Sequence, residues 1–157
     1  MTIVAAIRAS SVDLPLLVHI AGAMALVGLL VTSSLALVRA WRTTDGDVSV
    51  PLVRFGLWTL IAAFPAWILM RIGAQWTYSR EGWDNVPDEP SWLGVGYITA
   101  DLGGLLLLLS LILAAVGLRQ LRRPEPGSGV VRIATVIALL LVAAYVVAIF
   151  AMTTKPD

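Results

Sequence analysis

Four long apolar stretches divide the chain. Few charged residues fall within residues 14–38, 52–76, 93–118 and 130–153. An α-helix rises about 1.5 Å per residue, so each stretch can cross the roughly 30 Å apolar core of a bilayer. The pattern therefore predicts four transmembrane helices in a single domain, 1–157. Short connections between consecutive spans favour an all-α, up-down-up-down four-helix bundle.

Composition supports the membrane class and excludes several others. The 157 residues are 59% hydrophobic and 13% charged, whereas a soluble domain has about 25% charged residues. The lipid bilayer is therefore the first expected partner, and no basic stripe indicates nucleic acid. The chain has no cysteine, which excludes disulfides and thiolate chemistry. It also lacks the zincin, P-loop, nucleophile-elbow and dinucleotide-binding motifs, so we do not expect a conventional enzyme.

The distribution of basic residues predicts the orientation. Positive charge close to transmembrane spans is retained in the cytoplasm. Seven basic residues lie in or beside the connections after the first and third spans: Arg39, Arg42, Arg54, Arg119, Arg122, Arg123 and Arg132. The opposite side holds four: Arg8, Arg71, Arg80 and Lys155. We therefore expect an inner-membrane protein with both termini outside and a net acidic outer loop at 77–92.

Three ionisable residues lie inside the predicted spans at similar depth. His19, Arg71 and Asp101 each lie roughly 7 Å below the expected outer surface, at about 1.5 Å per residue. An ionisable side chain in hydrocarbon is expensive and often functional. We predict that these three residues occupy one layer, with an Arg71–Asp101 ion pair. Tyr97 and Tyr145 are candidates for the same layer.

Helical-wheel positions predict where the side chains point. His19 shares a face with Gly22 and Leu26, a seam of small and apolar residues that lets helices approach closely. We therefore expect the histidine to point into the bundle. Asp101 shares its face with a similar set: Gly104, Leu105, Leu108 and Ile112.

The polar layer is compatible with three functions. In the first, it is an interhelical clamp in a non-enzymatic membrane subunit or interaction protein, which binds a membrane-protein partner or a second copy of itself. In the second, it binds haem b or a quinone, with His19 as the axial metal ligand and Arg71 near a propionate. The chain offers no second histidine as the other axial ligand. The third function is proton or ion translocation through the Asp101–His19 pair.

Two segments resemble known membrane families. The opening of the first span, from Leu16 through His19 and Gly22 to Gly28, resembles the LHxxGxxxxxGG opening of copper-resistance-D-like proteins and of the membrane protoporphyrinogen oxidase group. In the oxidase group such a histidine is a haem ligand, which implies His19 here, but the rest of that family's pattern is missing. The segments 65–76 and 92–103 look like those of uncharacterised four-helix integral membrane proteins of actinobacteria. That resemblance implies a bacterial cytoplasmic membrane and no particular activity.

Overall fold

A computed structural model describes residues 10–43, 45–83, 90–121 and 128–154. They form four α-helices: α1 (Ser10–Arg42), α2 (Gly46–Glu81), α3 (Ser91–Gln120) and α4 (Ser128–Thr154). Each helix is long and apolar enough to cross a membrane. Helix α1 contacts α2 and α4, and α3 contacts the same two neighbours. The prediction of an all-α, four-helix membrane-spanning bundle is confirmed.

The helices extend beyond the predicted apolar spans. At the start of α2 the Asp45 carboxylate accepts a hydrogen bond of 2.9 Å from the Asp47 N–H, which satisfies a donor that the first helical turn leaves free. Helix α2 then continues to Glu81 and ends at Gly82, whose φ of 79° is left-handed. Helix α2 therefore continues into the first residues of the predicted outer loop at 77–92, and α3 begins at Ser91, within its last residues. The centre of that loop, 84–89, lies outside the described residues.

The bundle has two chemically different ends. At one end, which we call the loop end, α2 finishes and α3 begins. At the other end, which we call the basic end, α1 and α3 finish while α2 and α4 begin. Five exposed arginines lie near the basic end: Arg39, Arg42, Arg54, Arg119 and Arg132.

Leucine and small residues fill the core. The fully buried leucines come from all four helices: Leu26, Leu30, Leu37, Leu57, Leu60, Leu107 and Leu141. The outer faces of the helices are also apolar, and large side chains such as Leu35 and Phe150 are each 67% exposed. An apolar surface of this extent is incompatible with water and indicates contact with lipid. The protein is therefore a multi-pass membrane protein.

Candidate functional site

The backbones of α1 and α2 touch near the loop end. A Cβ added to Gly22 would lie 2.7 Å from the Met70 Cα, and one added to Gly73 would lie 2.6 Å from the His19 Cα. Real Cβ atoms do not approach other atoms so closely, so glycine is required at both positions. Small residues at a helix crossing are the usual means by which transmembrane helices come into backbone contact.

His19 lies at this crossing and points into the bundle, as predicted. Its Nδ1 is 3.0 Å from the main-chain oxygen of Met70. A carbonyl oxygen can only accept, so the imidazole donates its Nδ1 hydrogen to α2. Gly22 and Leu26, which share the face of His19, are buried. In the neutral ring this hydrogen bond leaves Nε2 without a proton.

Arg71 joins α2 to α3. Its Nη2 lies 3.0 Å from Oδ1 of Asp101, which confirms the predicted ion pair. The guanidinium carbon also lies 4.7 Å from the centre of the Tyr97 ring, within the range of a cation–π interaction. Tyr97 and Asp101 are one helical turn apart on α3 and so present a common face to Arg71. We call these three residues, Arg71, Tyr97 and Asp101, the Arg71 cluster.

The Arg71 cluster faces outward from the bundle. The side chains of Arg71 and Asp101 are 27% and 60% exposed. Leu105, Leu108 and Ile112, which share the face of Asp101, are also exposed. The sequence predicts that Asp101 lies on a face similar to the inward face of His19. That expectation is wrong, because the face of Asp101 points out of the bundle. Gly103 and Gly104 are buried instead, and a helical wheel cannot distinguish two faces that are both made of leucine and glycine.

Tyr145, on α4, packs against a different face of α3 from the one that carries Tyr97 and Asp101. It is only 4% exposed, and a Cβ added to Gly103 would lie 2.6 Å from its hydroxyl oxygen. Its hydroxyl has no hydrogen-bond partner among the described residues. Of the five candidate residues, the structure brings together Arg71, Tyr97 and Asp101, whereas His19 is at the α1–α2 crossing and Tyr145 packs inside the bundle.

Trp67 belongs to the same layer, and sequence reasoning missed it. Its indole Nε1 donates a 2.9 Å hydrogen bond to the main-chain oxygen of Ala100, the residue before Asp101. A Cβ on Gly104 would clash with the indole ring, so the glycine makes room for it. The sequence feature that could have identified Trp67 is a tryptophan in the middle of one span together with a Gly-Gly pair, Gly103 and Gly104, in the next. The layer thus links α1, α2 and α3 through one histidine, one tryptophan and one arginine.

The residues around His19 do not fit a haem in the predicted pose. A histidine that ligates metal often donates its other nitrogen to a carbonyl, as His19 does to Met70. However, the contact between α1 and α2 at Gly22 and Gly73 leaves no slot for a macrocycle between these helices. Arg71, the expected partner of a propionate, is already paired with Asp101. Within the described ranges no three His, Cys, Asp or Glu residues are grouped to hold a metal ion.

Comparison with known proteins does not indicate a function, so the function has to be inferred from the geometry described above. No family model matches the chain, and neither a curated protein nor a solved structure is significantly similar to it. The functional assignment of this four-helix membrane protein therefore depends on its fold and on the Arg71 cluster.

Proposed function

We propose that the protein is a non-enzymatic membrane interaction protein that binds the transmembrane helix of a partner protein at the outer face of α2 and α3. One observation carries this proposal. The Arg71–Asp101 ion pair, whose aspartate is 60% exposed, lies on an outward face of the bundle rather than in its interior. A charge that faces lipid is costly, and a polar group on a partner helix would reduce that cost.

The surroundings of the ion pair suit a helix as the ligand. Ile98, Leu102 and Leu105 are all more than half exposed around Asp101, so an apolar helix could pack on them without loss of lipid-like contacts. The carboxylate and the guanidinium together offer several acceptors and donors, and the described ion pair uses one of each. A hydroxyl or amide side chain on the partner helix would bind the remaining ones, since such groups are common between transmembrane helices.

Site-specific photo-cross-linking in native membranes tests the proposal. A photoreactive amino acid at Leu105, which is 65% exposed one turn beyond Asp101, should give a discrete protein adduct. The same probe at Val147, 59% exposed on α4, is the control and should give none. The Leu105 adduct should disappear in Arg71→Gln and Asp101→Asn while the melting temperature changes little. Two differently tagged copies tell whether the adduct contains a second copy of the chain. Equal labelling from both positions, or an adduct that survives both substitutions, contradicts the proposal.

The redox hypothesis makes a different spectroscopic prediction. A haem protein would show a Soret absorption band that is lost in His19→Ala, and a quinone protein would yield a quinone on solvent extraction. Under the interaction hypothesis the purified protein shows neither signal. The contact of His19 with Met70 then serves only to join α1 and α2.

The described part of the chain contains no series of buried ionisable side chains that could carry a proton or an ion across the membrane. The buried polar side chains there are the hydroxyls of Ser33, Ser34, Ser110, Thr135 and Tyr145, and no acidic or basic side chain is buried. The hydroxyls of Ser110 and Thr135 each donate to a carbonyl one turn back in their own helix. A proton relay through a membrane is normally built from ionisable groups, so an interaction function is favoured.

The proposal includes an inner-membrane location with the basic end in the cytoplasm. It is supported by the seven basic residues in or beside the connections at that end against four elsewhere and by the retention of positive charge in the cytoplasm. A reporter enzyme that is active only outside the cytoplasm, fused after Asp157, should be active. An inactive C-terminal fusion together with an active fusion in the 122–127 connection would reverse the orientation.

A further inference from the structure

A cavity lies at the basic end, far from the Arg71 cluster. Its volume is 220 Å³, and all four helices contribute to its walls. Trp41 lines it from α1, Ser49 from α2, Gln120 from α3 and Arg132 from α4. A cavity of this size can receive part of a phospholipid headgroup, while the two acyl chains would remain in the bilayer.

The walls of the cavity combine apolar and polar groups. Val50 and Val53 provide apolar surface, and Arg132 provides a cation. The guanidinium carbon of Arg132 lies 5.7 Å from the centre of the Trp41 ring, so the indole holds the cation beside the cavity through a cation–π interaction. Arg132 remains exposed and can bind an anion with its other face.

Gln120 adds an acceptor that needs a donor. Its side-chain oxygen is buried and has no hydrogen-bond partner among the described residues. Buried polar atoms in proteins are nearly always paired, so an unpaired atom calls for a specific explanation. A ligand with an O–H group in the cavity would supply the missing hydrogen bond.

The electrostatics of the basic end favour an anion. The exposed arginines there outnumber the described acidic residues, Asp45 and Asp47. Helices α2 and α4 begin at this end, and a helix N-terminus carries partial positive charge. Basic pockets between transmembrane helices are known sites for anionic lipid headgroups.

We propose that this cavity binds an anionic phospholipid whose headgroup carries hydroxyl groups, such as phosphatidylglycerol. Its phosphate binds Arg132, a headgroup hydroxyl donates to Gln120, and the glycerol backbone lies against Val50 and Val53. The proposal is independent of the partner-binding function, because it concerns the opposite end of the bundle and different residues.

Thermal unfolding of the full-length protein in detergent tests this site. Added phosphatidylglycerol should raise the melting temperature by several degrees, because a ligand that binds only the folded state stabilises it. Phosphatidylcholine, which has no net charge and no headgroup hydroxyl, should raise it much less. Inorganic phosphate should have little effect, because it lacks the apolar part. Equal effects of phosphatidylglycerol and phosphatidylcholine, or an equal effect of phosphate alone, would overturn the proposal.

Matched variants separate the cavity from general charge attraction. Arg132→Gln should lower the apparent affinity for phosphatidylglycerol about tenfold, the loss of one charge-assisted contact. Arg119→Gln removes the same charge at the same end, but Arg119 does not line the cavity, so its effect should be less than about twofold. Ser49→Leu should abolish the response by filling the cavity without a change in charge. Equal losses in Arg132→Gln and Arg119→Gln, or a full response in Ser49→Leu, would exclude a defined site.

The role of Gln120 can be isolated by lipid choice. Phosphatidic acid carries the phosphate without the headgroup hydroxyls. The wild type should therefore prefer phosphatidylglycerol, and Gln120→Leu should bind both lipids equally. Native mass spectrometry provides a second readout, in which one phosphatidylglycerol molecule stays bound to the wild type and is lost in Ser49→Leu. An unchanged preference in Gln120→Leu would remove the glutamine from the site.

Discussion

Gly22 of α1 and Gly73 of α2 hold reciprocal positions at one antiparallel helix crossing. Gly22 lies against the backbone of Met70, three residues before Gly73, and Gly73 lies against the backbone of His19, three residues before Gly22. Each glycine therefore accommodates the backbone of the other helix. The hydrogen bond from His19 to the Met70 oxygen spans the same crossing, so close approach and polar contact reinforce each other.

Adding a methyl group at this crossing should destabilise the bundle. We expect Gly22→Ala and Gly73→Ala each to lower the free energy of unfolding by about 1–3 kcal/mol, because the added Cβ meets backbone atoms that can move only if a helix shifts. Gly28→Ala is the control, since nothing lies within 4 Å of a Cβ at that position. Thermal unfolding in a mild detergent measures all three. A loss in Gly28→Ala equal to the other two would mean that the effect is not specific to the crossing.

The hydrogen bond of His19 can be tested by replacing its ring. Asparagine carries an N–H donor close to the position of the histidine Nδ1, whereas leucine has a similar bulk without a donor. We expect His19→Leu to lower the free energy of unfolding by about 0.5–1.5 kcal/mol, the typical net contribution of a hydrogen bond within a protein. His19→Asn should retain part of that stability. If both variants unfold alike, the contact with Met70 contributes no stability.

The Arg71–Asp101 ion pair should couple only weakly to folding. The aspartate side chain is 60% exposed on the lipid-facing side of the bundle, and polar contacts between transmembrane helices contribute on average only about 0.6 kcal/mol. We therefore expect Arg71→Ala and Asp101→Ala each to cause a small loss, and the double variant to be little worse than either one. Unfolding measurements on all four proteins complete the cycle. If the losses of unfolding free energy in the two single variants add up fully in the double variant, the two residues do not interact in the folded protein.

The fold could be predicted from the sequence because each span is long and apolar enough to leave no alternative. The Arg71–Asp101 pair could also be predicted, since two opposite charges at one depth in adjacent helices stabilise each other by pairing. The direction in which the ion pair faces could not be predicted from the sequence. The outward face of Asp101, with Leu105 and Ile112, is no less apolar than the inward face, with Gly103 and Gly104.

Helix rotation in this bundle is set by close packing rather than by polarity. The ring of Trp67 needs the space at Gly104, and the hydroxyl end of Tyr145 needs the space at Gly103. These contacts turn the glycine face of α3 inward and leave Asp101 outside. Such fits depend on side-chain shapes across three helices, which hydropathy and spacing do not encode.

Two buried hydroxyls in the core should respond to removal in opposite ways. Tyr145 has no hydrogen-bond partner among the described residues, whereas Ser33 Oγ donates a 2.8 Å hydrogen bond to the Gly56 oxygen. Tyr145→Phe removes only an unpaired polar group, so it should leave the free energy of unfolding unchanged or raise it by up to about 1 kcal/mol. Ser33→Ala breaks an interhelical hydrogen bond and should lower it by about 1 kcal/mol.

Thermal and chemical unfolding of the two variants beside the wild type distinguishes a packing role of Tyr145 from a polar one. Both substitutions preserve most of the buried volume, so a difference between them reports on hydrogen bonding. A large loss in Tyr145→Phe would mean that the hydroxyl has a partner in the membrane, such as a bound ligand, and that the interior of the bundle holds a second polar site. A gain would mean that Tyr145 contributes through its ring alone, packed against the Gly103 position.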